Sequence, residues 1–292
     1  MSKPSVLKKF YVNQNRGCFS MPKWSLNPYG HACAFRCVYC YADPEEEILP
    51  QLDPGQLEIE LPNAEFLPVR LGTYSDPYPP VEAELCITRR CLEIISRLGR
   101  PIEVVTKSEL VARDAELLGK AVVEISINTL DTSISTKFEP GAPPPERRLA
   151  AIRALTGKGV HVVARIDPII PLHCNEENVS ALLEALAHAG VGHVIAKFLQ
   201  LTSGNFDRIK AIDPALADLY QQHGVLQGRY RYLPREMREG LMTFLRKKCD
   251  DAGVKMSVCR EPDLCFLSSA PCDVHLKALM REHGESSESP KT

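Results

Sequence analysis

From residue 66 to residue 199 the chain alternates short apolar runs with longer stretches of mixed polarity. The runs FLPVRLG (66–72), IEVVT (102–106), VVEISIN (122–128), VHVVARID (160–167) and HVIAKFL (193–199) predict strands. Each is mostly apolar, the pattern of a parallel sheet covered on both faces. Helical patterns lie near 82–98, 109–119, 144–158, 176–189 and 234–252. Asn175 ahead of Glu176 and Glu177 is a helix-start signal, because early acids suit the positive end of the helix dipole. Five or six β-then-α units in series predict a parallel α/β barrel, complete or partial, with a doubly wound open sheet as the rival. Barrel chemistry gathers at the carboxyl ends of strands. That directs the search to Gly72–Tyr78, Thr106–Ser108, Asn128, Asp167–Pro171 and Gln200–Ser203. No internal repeat is visible, and the low-complexity tail 284–292 is expected to be disordered.

Composition narrows the class. The 292 residues are 44% hydrophobic and 25% charged, the balance of a soluble globular protein. No apolar run approaches the ~20 residues of a membrane span, and the opening MSKPSVLKKFYV lacks the apolar core of a signal peptide. The expected location is cytoplasmic, with no membrane partner. Net charge is −2, so contact with nucleic acid has to come from a local patch and not from a global positive field. The eleven cysteines change the picture most. Where thiols are kept reduced, clustered cysteines read as metal ligands or catalytic groups and not as disulfides.

The first cluster, NPYGHACAFRCVYCYAD, spaces Cys33, Cys37 and Cys40 as Cys-x3-Cys-x2-Cys. Three thiolates on one loop can hold three irons of a [4Fe–4S] cube and leave the fourth iron open to a small molecule. A zinc site completed by His31 or a distant cysteine is the rival. Three merely buried thiols are disfavoured by the loop-like surroundings.

This triplet is the signature of the radical S-adenosylmethionine (SAM) superfamily. The chain resembles its spore photoproduct lyase-like branch, through NPYGHACAFRCVYCYA, GTYSDPYPPVE, ITRRCLE, VVTKS, SINTLD, FEPGAPPPERRLAAI and DPIIP in order. The resemblance runs from Trp24 to Leu199, with a weaker echo over Cys259–Cys272. It implies a partial parallel (β/α)6-type barrel over 24–225, an N-terminal extension (1–23) and a C-terminal extension (226–283). It implies a [4Fe–4S] cluster on Cys33, Cys37 and Cys40 whose open iron chelates SAM. An electron from a reductant such as flavodoxin or ferredoxin then cleaves SAM to a 5′-deoxyadenosyl radical. Tyr39 and Tyr41 match tyrosines implicated in hydrogen transfer, with ring packing against the cluster as the plainer role. Gly72, Thr73, Ser75 and Asp76 match a turn near the SAM amino group, and Lys107 and Ser126 match positions near its carboxylate and ribose. One departure stands out: the branch has a hydrogen-returning cysteine where this chain has Thr73. A threonine O–H is too strong a bond to serve in that way. Cys86, Cys91 or Cys174 would have to supply a thiol, Cys174 being the best placed after the DPIIP turn, with a buried small apolar residue as its plainer role.

The second cluster, CREPDLCFLSSAPCDVH, spaces Cys259, Cys265 and Cys272 irregularly, with Cys249 ten residues upstream. The alternatives are a second iron–sulfur cluster, a zinc site with His275, or buried thiols. In GRYRYLPREMR, Arg229, Arg231, Arg235 and Arg238 interleave with Tyr230 and Tyr232. Such a stretch suits phosphates and an unpaired base, or is a solvated helix start. The expected function is radical SAM repair or modification of a nucleic-acid base. Its alternatives are modification of a peptide, protein or small metabolite, and a non-catalytic metal-binding protein.

Overall fold

A computed structural model of the chain describes residues 5–10, 20–40 and 52–282. One sheet takes in β1 (Lys8–Phe10), β2 (Lys23–Leu26), β3 (Val69–Leu71), β4 (Ile102–Thr106), β5 (Ala121–Ser126), β6 (His161–Ile169) and β7 (His193–Phe198). A hairpin of β8 (Val225–Gln227) and β9 (Tyr230–Tyr232) stands apart, and β10 (Lys255–Val258) rejoins the sheet beside β7. Within the eight-stranded sheet only β1 is antiparallel to its neighbour and the other pairs are parallel, while the β8–β9 pair is antiparallel. Strand order follows chain order throughout. A doubly wound sheet reverses its strand order at a switch point, and none occurs here. Right-handed crossovers that all advance one way put the helices on one face and leave the other concave. The result is an open eight-stranded sheet with β2–β7 as a partial (β/α)6 barrel.

The helices are α1 (Pro54–Glu60), α2 (Glu82–Leu85), α3 (Ile87–Arg97), α4 (Thr132–Phe138), α5 (Pro145–Thr156), α6 (Glu176–His188), α7 (Ser203–Ile212), α8 (Pro214–His223), α9 (Arg235–Asp251) and α10 (Val274–Glu282). Asn175 caps α6, its Oδ1 accepting from Asn178 N at 2.9 Å. The helix expected over 82–98 is broken at Cys86, whose φ is +53°. The buried Glu82 carboxylate stabilises that break by accepting from Thr88 N (2.9 Å) and Arg89 N (3.1 Å) at the start of α3. The pattern over 109–119 forms a 3-10 run, Glu109–Leu117, kinked at Asp114. β3 is shorter than its apolar run because Pro68 has no N–H for a ladder.

Strand alternation divides the two faces. Outward residues such as Val104, Val123, Ile125, Ala164, Ile166 and Val194 pack with Leu92, Ile95, Ile152, Leu182 and Leu245 from the helices. Burying each Val, Ile or Leu among them contributes roughly 1.5–3 kcal/mol. The inward face is not the apolar surface that the strand composition predicts. Lys23 Nζ lies 2.9 Å from Glu103, Arg70 Nη1 2.8 Å from Glu103 Oε2, and Arg165 2.6 Å from Glu124 and 2.7 Å from Asp167. Only toward the amino ends of the strands is the interior apolar: Val122, Val163 and Ile195 meet Leu276 and Met280 of α10. The segment after residue 226 thus supplies both a strand of the main sheet and the helix that fills its floor. The outer edge of β10 is covered by Ser268 and Ser269, whose hydroxyls accept from Val258 N (2.9 Å) and Met256 N (2.7 Å). No helix among the described residues is long and apolar enough to cross a membrane.

Candidate functional site

The loop leaving β2 at the carboxyl end of the sheet carries Cys33, Cys37 and Cys40. It is built from consecutive tight turns: Gly30 N donates to Asn27 O (3.0 Å), Arg36 N to Cys33 O (3.4 Å) and Cys40 N to Cys37 O (2.9 Å). The cysteine spacing is therefore the spacing of turn corners, with Gly30 (φ +70°) and Arg36 (φ +46°) in the left-handed region. The three thiols lie within electrostatic range of one another. Burial pushes the Cys33 and Cys37 thiols up; at Cys37 the Lys107 ammonium opposes that rise.

Residues 138–141 brace this loop from a distance in sequence. Val38 N donates to Phe138 O (2.9 Å) and Gly141 N to Phe35 O (3.0 Å). A Cβ on Gly141 would sit 2.5 Å from Ala34 O and 2.9 Å from Phe35 O, so only glycine permits this approach. Between these contacts the buried Glu139 carboxylate accepts from Tyr39 Oη, pairs with Arg148 at 2.5 Å and faces Lys107 Nζ at 3.9 Å. Burial works against the Lys107 ammonium, but the Cys37 thiol and Glu139 outweigh it and raise its pKa. Burial, with Cys37 and Glu139 adding to it, likewise pushes the Tyr39 phenol up.

The turn after β3 is pinned on both sides. Thr73 N and Tyr74 N donate to Asn27 Oδ1 (3.2 and 2.9 Å), and Ser25 Oγ donates to Thr73 Oγ1 at 2.7 Å. Gly72 has φ +92°, and a Cβ there would meet Val105 O at 2.2 Å. Ser75 Oγ donates to Gly30 O (2.7 Å), and Asp76 accepts from Tyr78 N (2.9 Å), Thr106 Oγ1 (2.7 Å) and Lys107 N (2.7 Å). Burial raises the Asp76 pKa, although these hydrogen bonds hold the carboxylate in place. Ser75 and Asp76 therefore fasten the turn to the cysteine loop and to the end of β4. Ser126 ends β5 on the concave face, its carbonyl accepting from Arg148 Nη1 at 3.0 Å. Nearby, burial disfavours the Asp167 carboxylate, but Lys197 and Arg165 outweigh it and hold its pKa far below the usual range.

The structure thus gathers Cys33, Cys37, Cys40, Tyr39, Gly72, Thr73, Ser75, Asp76, Lys107 and Ser126 at one end of the sheet. Tyr41 lies outside the described residues. Cys174 does not join the group. The 3-10 turn Pro171–His173 carries it to the outer side, into a small cavity lined by Ile166, Val179, Leu182 and Leu245. Burial there raises its pKa to about 11. Cys91 is buried in the same outer core, and Cys86 stands 3.7 Å from Arg113 Nη1. Of the C-terminal cysteines, Cys259 and Cys272 share the inner cluster, with Cys259 Sγ 3.9 Å from Arg165 Nη2. Cys265 is exposed, Cys249 packs in the outer core, and His275 bonds His193 at 3.1 Å. Among the described residues no three His, Cys, Asp or Glu side chains converge on a single point. An iron–sulfur cube does not need such convergence, because its thiolates bind separate irons.

The β8–β9 hairpin is joined to the same end of the sheet through Arg231 and Leu201, which exchange backbone hydrogen bonds of 2.7 and 3.1 Å. The arginines of 229–238, which run from this hairpin into α9, have separate fates. Arg238 is buried against Glu261 and Asp263, Arg235 pairs with Glu239, and Arg231 donates to Gly224 O. Arg229 lies over the Tyr230 ring at 5.1 Å, and Tyr230 meets Tyr232 edge-on at 6.3 Å. Sequence reasoning missed Glu139, Asn27, Asn205 and Arg208. Glu139 was legible only as part of FEPGAP, and Asn205 only as a helix-start residue.

An open parallel barrel with a cysteine-bearing loop at the carboxyl ends of its strands defines a class of barrel enzymes. Residues 27–194, more than half of the chain, match the Radical SAM superfamily, and the chain belongs to that superfamily of enzymes. Membership implies a [4Fe–4S] cluster and SAM as cofactors. An uncharacterized protein of Mycobacterium tuberculosis is 28% identical over 271 residues, spanning 81% of this chain and 76% of the relative. A Pseudomonas phage M6 protein named radical SAM Nalpha-GlyT isomerase is 24% identical over 206 residues, 64% of this chain and 42% of its own length. Among solved structures the chain is similar to a spore photoproduct lyase variant with bound AdoMet and dinucleoside spore photoproduct. That similarity has a TM-score of 0.60 and 20% identity, over 80% of this chain and 75% of the other. It is also similar to Streptococcus suis SuiB bound to the precursor peptide SuiA, at TM-score 0.55 and 14% identity, over 81% and 48% of the two chains. At these identities the structural likeness establishes the fold alone.

Proposed function

We propose that Cys33, Cys37 and Cys40 hold a [4Fe–4S] cluster with one open iron for SAM, and that the enzyme acts on a nucleic-acid base. The observation that carries the cofactor assignment is the loop itself. Three mutually coupled thiols sit on turn corners, faced by Lys107 and braced by glycines whose missing Cβ atoms let backbone close in. The donor set fits the group, since three thiolates and an open fourth iron are what a SAM-binding cube requires. Because burial keeps Cys33 and Cys37 protonated in the bare chain, loading releases protons. When bound, the cluster supplies the electron, received from a reductant such as flavodoxin or ferredoxin, that cleaves SAM to a 5′-deoxyadenosyl radical.

The chain's own residues then aim and shield. The turn Gly72–Asp76 presents backbone groups to the SAM amino end, held rigid through Asn27 and Lys107 N. The Lys107 ammonium, only loosely paired with Glu139 at 3.9 Å, meets the SAM carboxylate, and Ser126 lies toward the ribose. Tyr39 keeps its phenolic proton on the bond to Glu139 Oε1, and Tyr41 is its partner in hydrogen transfer. The apolar group of Phe138, Ile170, Leu199, Leu201 and Tyr220, packed against Tyr39, keeps water from the reacting carbon. Cys174 has no role in this scheme, because its thiol is on the outer side of the sheet.

The nucleic-acid reading rests on the hairpin at the same end, where Arg229 and the two tyrosines offer a cation and flat rings. Spore photoproduct lyase, of the same fold, takes a dinucleoside. The test is retention of the protein on a single-stranded oligonucleotide at moderate salt. Retention that is lost in the Arg229→Ala/Arg231→Ala variant supports the reading; no retention of the wild type removes it. Thr73, standing where the branch has a cysteine, favours the second reading, modification of a peptide, for which SuiB with its bound precursor peptide is the fold precedent.

A further inference from the structure

Helix α7 reaches the cysteine loop with two side chains one turn apart. Asn205 Nδ2 donates to Tyr39 O at 2.9 Å, and Arg208 Nη2 donates to Cys40 O at 2.5 Å. These are consecutive carbonyls on the turn that ends in the third cysteine. Asn205 is itself fixed: its Oδ1 accepts from Thr202 N at 2.7 Å, and its N donates to Thr202 Oγ1 at 3.3 Å in a capping box. With its oxygen engaged in the cap, its amide NH2 is left to donate, to Tyr39 O at 2.9 Å and more weakly to Gln200 O at 3.5 Å. Arg208 carries a further feature: its Nε is buried and has no hydrogen-bond partner. A buried donor without a partner is costly unless something supplies an acceptor. A cluster held by this loop would bring thiolate and sulfide sulfurs, both hydrogen-bond acceptors, to the segment whose Cys40 carbonyl Arg208 already holds.

We propose that Asn205 and Arg208 form a clamp that holds the Cys37–Cys40 turn for the cluster. Arg208, through its charge and its spare Nε–H, also favours the reduced, more negative form. Both are positioning residues. The proposal rests on the reading of Cys33, Cys37 and Cys40 as cluster ligands. An ordinary packing contact between α7 and the loop would change melting alone, whereas a clamp changes cluster retention, and a nearby cation changes the midpoint potential.

The experiment uses anaerobically reconstituted wild type, Arg208→Ala, Arg208→Lys and Asn205→Asp. It follows iron release to a ferrous chelator, the midpoint potential read from the signal of the reduced cluster, and thermal melting. Arg208→Ala is expected to release iron on the order of tenfold faster, the scale of one charge-assisted hydrogen bond, with a more negative midpoint potential. Arg208→Lys restores the potential while regaining only part of the retention, since a point cation lacks the guanidinium's fork of donors. Asn205→Asp keeps the acceptor for Thr202 N but has no donor for Tyr39 O, and releases iron faster than wild type. Release and potential unchanged in Arg208→Ala and Asn205→Asp overturn the clamp, as does a change confined to melting. A wild type that takes up no iron overturns the ligand reading and the clamp with it, an outcome distinct from a stable cluster indifferent to α7.

Discussion

The two ends of the concave face solve burial in opposite ways. At the carboxyl end the buried Glu139 and Arg148 and the half-buried Lys107 and Asp76 are paired or hydrogen-bonded around the cysteine loop, and Arg148 Nη2 and Arg208 Nε are left without partners. At the amino end Val122, Val163 and Ile195 meet α10, and the polar groups there include a run of histidines. The ring centroids of His161 and His275 are 3.7 Å apart, His275 bonds His193 at 3.1 Å, and His193 bonds Ser257 at 2.7 Å. Burial, reinforced by neighbouring histidines and Lys255, lowers the pKa of His193 and of His275 to about 4. Burial thus keeps the floor's His193 and His275 neutral, whereas at the mouth the Glu139 carboxylate lies against the Arg148 and Lys107 cations. The same strands run through both ends. The difference comes from what closes each: a helix with apolar side chains below, and loops with long-range polar contacts above.

The largest expected effect separates chemistry from folding at the mouth. Cys37→Ala should abolish cluster loading and cleavage of SAM to 5′-deoxyadenosine, with the melting of the iron-free chain nearly unchanged. Iron analysis and product chromatography check this. Normal cleavage in that variant would overturn the site assignment.

Next comes the charged belt between the two ends. Burial opposes the Glu103 carboxylate, but Lys23 and Arg70 outweigh it and lower its pKa to about 2. Glu103→Leu would strip its partner from the buried Lys23 and the half-buried Arg70 and should cost about 3–5 kcal/mol in urea unfolding. Because the folded pKa is depressed, the contribution of Glu103 is complete above its unfolded pKa of about 4.3 and is lost as pH falls toward 2.

The floor gives a smaller, pH-limited effect. An unfolded histidine takes up its proton near pH 6.5, while His193 and His275 in the folded chain resist until about pH 4. Unfolding therefore takes up protons in this window, and stability should decline as pH falls from about 6.5 to about 4. His275→Leu should flatten that limb of the Tm–pH curve of the iron-free protein; an unaltered limb would show that the stack does not set it. Smallest is Arg229→Ala, an exposed change that should move stability by no more than about 0.5 kcal/mol while weakening oligonucleotide retention.

The local signals were readable. The triplet spacing, the strand series and the Asn175 cap each depend on residues close in sequence, and the strictly advancing strand order removed the doubly wound rival. The partners that make the loop a site were not readable, because they come from far away. Tyr39 meets Glu139 across 100 residues, and Cys40 meets Arg208 across 168. No periodicity encodes such pairs. Apolar composition also concealed the charged concave face: one Glu in VVEISIN and one Arg in VHVVARID look incidental until Arg165 and Glu124 meet at 2.6 Å. Cys174 was misdirected for a related reason, since whether a turn after a strand end points into or away from the barrel depends on the helix that follows.

The central claim is tested most directly by iron content per chain after anaerobic reconstitution. Wild type is compared with a variant carrying Cys33→Ala, Cys37→Ala and Cys40→Ala. The account predicts about four irons in the wild type and about zero in the variant, as one cube on these three thiols requires. Iron retained in full by the variant, or absent from the wild type, would contradict it.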